Sequence, residues 1–321
     1  MNILITGGAG YIGSHLSHLL SDKKINHVIV DNLSTGYKKL VNKRAKFYKV
    51  DISDKKKILK ILKKNKITCI FHLAASILVS ESMEKPEKYY FNNVIKLLDL
   101  IDVCSKVKIK NFVFSSTCAV YDDSLKKVDE KTPLKPKSIY GKTKLYGEQI
   151  LKNFSKDYKF NYSTLRYFNV IGADSKCRTG QLNDSGHLFM NLSNSIIKKN
   201  YTASIYGTNY KTRDGSAVRD YIDVEDISNI HLSILEKMRK NNKSYEINCG
   251  SGKGFSVFEI LSNFERVIGK KIKNKKHKRR PGDIEEIVAD NKKLKKILNY
   301  KFNKNLSESI KTFIAWRKKF N

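Results

Sequence analysis

Met1-Asn2-Ile3-Leu4-Ile5-Thr6-Gly7-Gly8-Ala9-Gly10-Tyr11-Ile12-Gly13 is the stretch whose reading decides the fold. Ile3 to Ile5 is a short apolar run of the kind that forms a buried strand. Three glycines spaced by threes follow (Gly7, Gly10, Gly13), and a helical pattern then runs from about Tyr11 to Leu20. Each glycine answers a steric need: a tight turn, the approach of bare backbone to a pyrophosphate, and close packing of helix on strand. The helix start offers N–H groups and a positive dipole end to phosphates. Glycines alone equally describe an ordinary turn, so the surroundings decide. A second apolar strand, Val28 to Val30, ends at Asp31, 18 residues past Gly13. A carboxylate there accepts both hydroxyls of an adenine ribose and repels a 2′-phosphate. The stretch therefore reads as a dinucleotide site that prefers NAD to NADP.

Outward from this start, strands and helices alternate. Lys46–Val50 leads to Asp51 and a helix ending near Lys64. Cys69–Leu73 runs into Ala74 and Ala75, and Pro86 precedes a long helix, about Tyr89 to Ser105. Phe112–Ser115 leads to Thr117, a helix follows from Ser138, and Tyr162–Tyr167 ends in Phe168-Asn169. Strict alternation predicts an α/β fold, a doubly wound parallel Rossmann sheet, with ligands beyond the carboxyl ends of its strands. Past Asn169 the alternation fades into a loop-like stretch, 172–187. The remaining pieces are helices at about Leu188–Lys199, Ser256–Ile268 and Ser307–Lys319 and strands at Ala203–Tyr206 and Tyr245–Asn248. They read as a smaller, less regular C-terminal domain.

At 321 residues with 40% hydrophobic content, one large or two joined domains with a proper core are expected. No apolar run reaches the ~20 residues a membrane span needs, and the N-terminus enters a strand without a signal-peptide pattern. The five cysteines are scattered with no CxxC pair, which suits a reduced, cytoplasmic protein, and no metal site is expected. The net charge of +32 raises nucleic-acid binding. The lysines, however, are spread along the whole chain, often as pairs on outer helix faces, and no nucleic-acid-reading motif accompanies them. A solvated basic surface is the plainer reading, and neither a specific nucleic-acid partner nor a membrane partner is expected.

Tyr140 and Lys144 stand four apart and share a helix face. An ammonium beside a phenol stabilises the phenolate and makes tyrosine a usable base near neutral pH. Tyr300/Lys304 has the same spacing, but Tyr140 follows a strand ending at the hydroxyl residue Thr117 on a sheet that carries the nucleotide motif.

TGGAGYIGSH, DNLSTG, HLAAS…ESMEKPEKYYFNNV, FSSTCAVY, YGKTKLYGE, LRYFNVIGA and VRDYIDVEDI occur in this order. With them the chain, from residue 1 to about 290, resembles the extended short-chain dehydrogenase/reductase family and, within it, the UDP-glucose (UDP-galactose) 4-epimerases. That resemblance implies a tightly held NAD, reduced and reoxidised within one cycle, and Tyr140 as the base on the sugar 4′-hydroxyl. Thr117 is implied to bond the 4′-oxygen, and Lys144 to tune Tyr140 and hold the nicotinamide ribose. It further implies an NAD site of Gly7, Gly10, Tyr11, Ile12, Gly13, Asp31, Asn32, Asp51, Ile52, Leu73, Ala74, Ala75, Asn92, Ser115, Tyr140, Lys144 and Phe168. The UDP-sugar site would comprise Thr117, Tyr140, Asn169, His187, Leu188, Tyr206, Arg219, Arg280 and Asp283, the arginines suiting a diphosphate. Residues 1–168, with about 218–248 returning, would form the NAD-binding domain and 169–321 the UDP-sugar domain. A homodimer is implied as well.

Three positions depart from the family pattern. Ile77 replaces a lysine near the nicotinamide ribose, Asp122 replaces the glycine after Val120-Tyr121, and Ile287, of intermediate size, falls where pocket width beside the sugar 2-position is set. Cys118 and Ala119 follow Thr117 where a 4,6-dehydratase carries an Asp-Glu pair, which disfavours dehydration. A decarboxylase or reductase of the same superfamily is the alternative chemistry, and a non-catalytic NAD- or nucleic-acid-binding protein the alternative class.

Overall fold

The computed structural model describes residues 2–122, 125–183, 187–280 and 283–320. The chain divides into two compact units. The first comprises Met1–Val120, Pro136–Arg166 and Ser228–Ile247; the second comprises Tyr121–Lys135, Tyr167–Ile227 and Asn248–Asn321.

The first unit is built on strands β1 (Ile3–Thr6), β2 (His27–Asp31), β3 (Lys46–Lys49), β4 (Cys69–His72) and β5 (Asn111–Thr117). They pair in parallel, with Ile5 opposite Ile29 on one side of β1 and opposite Phe71 on the other. Asn161–Tyr167 and Tyr245–Cys249 extend the sheet to seven strands, ordered Tyr245–Cys249, Asn161–Tyr167, β5, β4, β1, β2, β3. β1, β2, β4 and β5 are buried along their whole length, because helices cover both faces. The order reverses beside β1, which puts the Gly7–Gly13 turn at the topological switch point.

Helix starts follow local chemistry. Ser138 accepts a hydrogen bond from the Gly141 N–H and so starts the helix Ile139–Asp157. Asp54 caps Lys55–Lys64 in the same way. The long helix expected near Tyr89–Ser105 begins earlier, with Pro86 in its first turn, and is interrupted by a π-helical turn over Phe91–Ile95. Such turns wedge an extra residue into a helix and re-aim its side chains. Here the re-aimed pair is Asn92 and Asn93.

The second unit is more regular than the loop-like sequence implied. It has a five-stranded sheet in which Gly254–Ser256, Val218–Asp223, Glu286–Ala289 and Lys127–Val128 are successive neighbours and Asn169–Ile171 also pairs with Val218–Asp223. A two-stranded parallel ribbon joins Thr202–Tyr206 to Lys273–His277. Its core gathers Phe189, Leu192, Tyr221, Phe264, Ile310 and Phe313 around these strands. The chain exchange falls differently from the sequence reading. Val218–Ile227 stays with the second unit, because Val218–Asp223 forms the hub of its sheet, and only Ser228–Ile247 goes to the first. Tyr121–Lys135 belongs to the second unit because Lys127–Val128 pairs with Glu286–Ala289. No helix among the described residues is long and apolar enough to cross a membrane, and Cys69, Cys104 and Cys249 are buried.

Candidate active site

The turn after β1 is set by contacts that only glycine tolerates. Gly7 has φ of +72°, and a Cβ there would lie 2.7 Å from the Ala74 N and 2.8 Å from the Leu73 carbonyl carbon. A Cβ on Gly13 would collide with the Gly7 carbonyl oxygen. Gly10 stands as the residue before the helix Tyr11–Asp22, in extended conformation, and no side chain caps that helix start. Leu73 and Ala74 therefore close one side of the same turn that Gly7 to Gly13 form, and Ala75 follows them in the chain.

Asp31 ends β2 with its carboxylate buried. One oxygen accepts the Ala9 N–H at 2.9 Å and the other the Leu33 N–H at 2.8 Å. Burial pushes its pKa up against the pull of these two bonds. Each oxygen retains a further lone pair for an outside hydroxyl donor. Asp51 accepts from Asn32 at 2.8 Å, from Lys96 at 2.7 Å and from Ser53. Burial opposes ionisation here too, but these donors win and hold the carboxyl well below the usual range. Ile52 beside it is buried.

The π-helical turn ties down the loop after β4. Asn93 accepts the Ser76 N–H at 2.8 Å and donates to the Ser76 carbonyl at 3.0 Å and to Thr143 at 3.1 Å; Asn92 donates to the Ser76 hydroxyl at 3.2 Å. Asn92 was singled out from sequence, and its neighbour Asn93, which does the bracing, was not. A buried His72 at the end of β4 bonds Thr6 at 2.8 Å, joining the two central strands just below the glycine turn. Burial, then the charge of Lys144, depress the His72 pKa to about 3, so the ring is neutral. Ile77 is half exposed and brings no charge to this loop.

Tyr140, Thr117 and Lys144 come together at the end of β5. The Thr117 hydroxyl lies near enough to the Tyr140 phenol to favour its ionised form, and the Tyr140 N–H donates to buried Ser82 at 3.1 Å. The Lys144 ammonium donates to the Ser115 carbonyl at 2.7 Å and to its hydroxyl at 3.3 Å, and lies 4.9 Å from the Phe114 ring centroid. The ammonium that the sequence places beside the phenol is anchored on Ser115 in the structure. Burial raises the Tyr140 pKa despite the Thr117 hydroxyl. Burial also lowers the Lys144 pKa to about 7, with Glu148 opposing. An amine so poised switches charge near neutrality. The other pair of this spacing is structural: Tyr300 donates to Asp226 at 2.8 Å, and Lys304 sits 2.6 Å from Glu225 and 3.8 Å from Asp223.

In the second unit a group of polar side chains surrounds Tyr206. The Arg280 guanidinium lies 3.9 Å from the Tyr206 ring centroid, and His277 stacks on that ring at 5.0 Å. Arg219 faces Asp283 at 3.6 Å. Its sequence neighbour Asp220 is buried instead and takes the N–H groups of Ser251, Gly252 and Ala289. Ile287 is opposite Arg219 in the sheet and buried. His187 precedes the helix Leu188–Ile197 without capping it. Asn169 pairs with Tyr221 in the sheet, and Phe168 is buried beside it, its N–H bonded to the Cys249 carbonyl. Tyr121, just before the Asp122 departure, donates to Asn248 at 2.6 Å, and Asp122 is held by the Pro133 carbonyl.

The profile of the "NAD dependent epimerase/dehydratase family" matches residues 3–250. A UDP-glucose 4-epimerase of Lactobacillus helveticus is 40% identical over 321 residues, covering 99% of this chain and 97% of that one. A crystal structure of UDP-glucose 4-epimerase from Brucella ovis in complex with NAD superposes with a TM-score of 0.93 at 33% identity, covering 99% of this chain and 98% of that chain. One from Bifidobacterium longum in complex with NAD+ and UDP does so at 0.91 and 31%, covering 100% and 99%.

Proposed function

The chain belongs to the NAD dependent epimerase/dehydratase family, and from that premise we propose that it interconverts UDP-glucose and UDP-galactose by NAD-dependent inversion at C4. The observation that carries the reading is the convergence of Thr117, at the end of β5, with Tyr140 and a buried Lys144 anchored on Ser115.

The residues present fit NAD. The glycine turn is a cradle that any Cβ would fill, and the Asp31 carboxylate keeps lone pairs for ribose hydroxyls. Gly7, Gly10, Tyr11, Ile12 and Gly13 would hold the pyrophosphate, Asp31, Asn32, Asp51 and Ile52 the adenosine, and Leu73, Ala74, Ala75, Asn92, Ser115, Lys144 and Phe168 the nicotinamide half. When bound, NAD would supply a hydride acceptor for the sugar C4 and, once reduced, the hydride donor for the return step. The protein's share is proton transfer and positioning. Tyr140 takes the 4′-hydroxyl proton and later returns it. The Thr117 hydroxyl favours the ionised form of the phenol, against the burial that disfavours it. Lys144, tethered to Ser115, supplies a cation that water does not screen.

Asn169, His187, Leu188, Tyr206, Arg219, Arg280 and Asp283 are assigned to the UDP-sugar. Supporting this, Arg280 offers an exposed planar fork steadied on Tyr206, suited to bidentate bonds with a diphosphate. A homodimer is part of the proposal, supported by an apolar helical surface on the first unit: Met83, Phe91, Ile95 and Tyr146 are each 42–58% exposed. A cytoplasmic location is proposed as well, consistent with five cysteines scattered along the chain with no CxxC pair.

Separate incubations with UDP-glucose and UDP-N-acetylglucosamine, followed by separation of epimers, test the function. Formation of UDP-galactose is expected, and conversion of neither sugar would overturn the reading.

A further inference from the structure

Tyr140 and Lys144 are two rungs of a ladder that has a third. Glu148 is the next residue at a spacing of four on the same helix, so the three side chains form one stripe. They meet three consecutive residues at the end of β5: Tyr140 lies by Thr117, Lys144 donates to Ser115, and Glu148 accepts from Ser116, whose hydroxyl donates at 2.5 Å. Glu148 is in turn gripped by Arg166 from the neighbouring strand through a two-pronged pair of 3.0 and 2.7 Å. Glu148 is 7% exposed and Arg166 is 1% exposed. Two charges so deeply placed are costly to desolvate, and stability alone is served as well by apolar residues. Their placement under the reacting groups gives the arrangement a different use.

We infer that Glu148, gripped by Arg166 and bonded to Ser116, is a positioning residue for the reaction, fixing the strand end that aims Lys144 and Thr117. It reaches no substrate atom itself. Its negative charge also favours the ammonium form of Lys144, against the burial that drives that amine towards neutrality. The charged and titratable groups around this stripe are His72 from β4, Arg166 and Tyr162 from the strand Asn161–Tyr167, and Glu246 from Tyr245–Cys249. His72 is neutral, Tyr162 is pushed up to about 12 by burial and by Glu246, and Arg166 is already committed to Glu148. Glu148 is thus the charge that sets Lys144.

The inference rests on the epimerase reading, so wild-type conversion in the same assay separates the two: if the wild type is inactive, that reading falls first. The test is the pH dependence of kcat in the NAD-loaded double variant Glu148→Gln/Arg166→Gln, which removes both members of the buried Glu148–Arg166 pair together. Loss of one charge-assisted bond predicts a drop in kcat of roughly tenfold, with KM for UDP-glucose unchanged. The alkaline limb moves to lower pH, because Lys144 gives up its proton earlier. A folded, NAD-loaded double variant with wild-type kcat and an unmoved limb would overturn the inference. Should the double variant not fold, Ser116→Ala decides: kcat falls several-fold while Ser116→Thr, which restores the hydroxyl, recovers it. Equal activity of Ser116→Ala and wild type would overturn it too.

Discussion

The same substitution at two glycines of the opening turn should give opposite readouts. In Gly13→Ala the new methyl lands inside contact distance of the Gly7 carbonyl oxygen and 2.8 Å from the Gly8 Cα. Both neighbours are backbone. Gly7 has no room to retreat, since it is wedged against the Leu73–Ala74 peptide. The helix Tyr11–Asp22 must therefore move off β1, an overpacking that costs about 1–3 kcal/mol. At about 2–4 °C per kcal/mol for a body of this size, the melting temperature of the NAD-free protein should fall by several degrees. Gly10→Ala is different. Gly10 already has φ of −87° and ψ of 179°, which alanine adopts freely, and the methyl meets only the Gly7 oxygen at 3.2 Å. The smaller entropy of the unfolded alanine chain offsets that contact, so stability should hardly change. The methyl would nevertheless stand where the pyrophosphate needs bare backbone. Losing one charge-assisted hydrogen bond there costs about 1.5–3 kcal/mol, or about 10- to 100-fold in NAD affinity. The assay pairs calorimetry of stripped protein with NAD released from purified, denatured enzyme. Gly10→Ala retaining a full complement of NAD, or Gly13→Ala melting with the wild type, would refute the reasoning.

Other consequences follow from the same geometry. Tyr140→Phe should lower turnover by at least about 10²-fold while NAD stays bound, the share expected of a general base, and Thr117→Ala should cost less; steady-state rates against NAD content check both. Lys144→Met should raise thermal stability near pH 7, since it removes a buried charge. Lys144 has a folded pKa lowered to about 7 against an unfolded value near 10.4. The wild type is therefore penalised most below pH 7 and closes the gap as pH rises from 7 towards 10; melting curves of the two proteins that stay parallel across that window would contradict this. Lys304→Met leaves Asp223 buried without its cation, a group whose pKa burial already raises to about 6. It should destabilise by about 3–5 kcal/mol in denaturant titrations. Phe91→Glu, on the exposed apolar face, should shift the sedimentation profile from dimer to monomer without loss of fold.

The first unit was legible because its signals are long or sterically compelled. Strands buried on both faces read as unbroken apolar runs, and at Gly7 and Gly13 the glycine spacing reflects backbone contacts that a Cβ would break. The second unit's sheet was not legible, for a physical reason. Lys127–Val128, Asn169–Ile171 and Gly254–Ser256 are two or three residues long, too short for a period-of-two pattern to emerge. Lys273–His277, fully exposed and basic, is a strand only through its pairing with Thr202–Tyr206. At the site, Tyr140, Lys144 and Thr117 could be singled out by spacing and context. Which of them bond one another could not, because the destination of the Lys144 ammonium depends on a carbonyl, Ser115, that carries no mark in the sequence. The π-helical turn at Phe91–Ile95 was equally hidden, since an inserted residue leaves the apolar pattern of the flanking helix intact.

The central claim is that one bound NAD takes a hydride from C4 of the sugar and gives the same hydride back. UDP-glucose deuterated at C4 tests it most directly. With no NAD added, the protein should yield UDP-galactose that keeps its deuterium at C4, read by mass spectrometry and proton NMR. UDP-galactose carrying solvent hydrogen at C4, or turnover only when NAD is supplied in stoichiometric excess, would contradict the account.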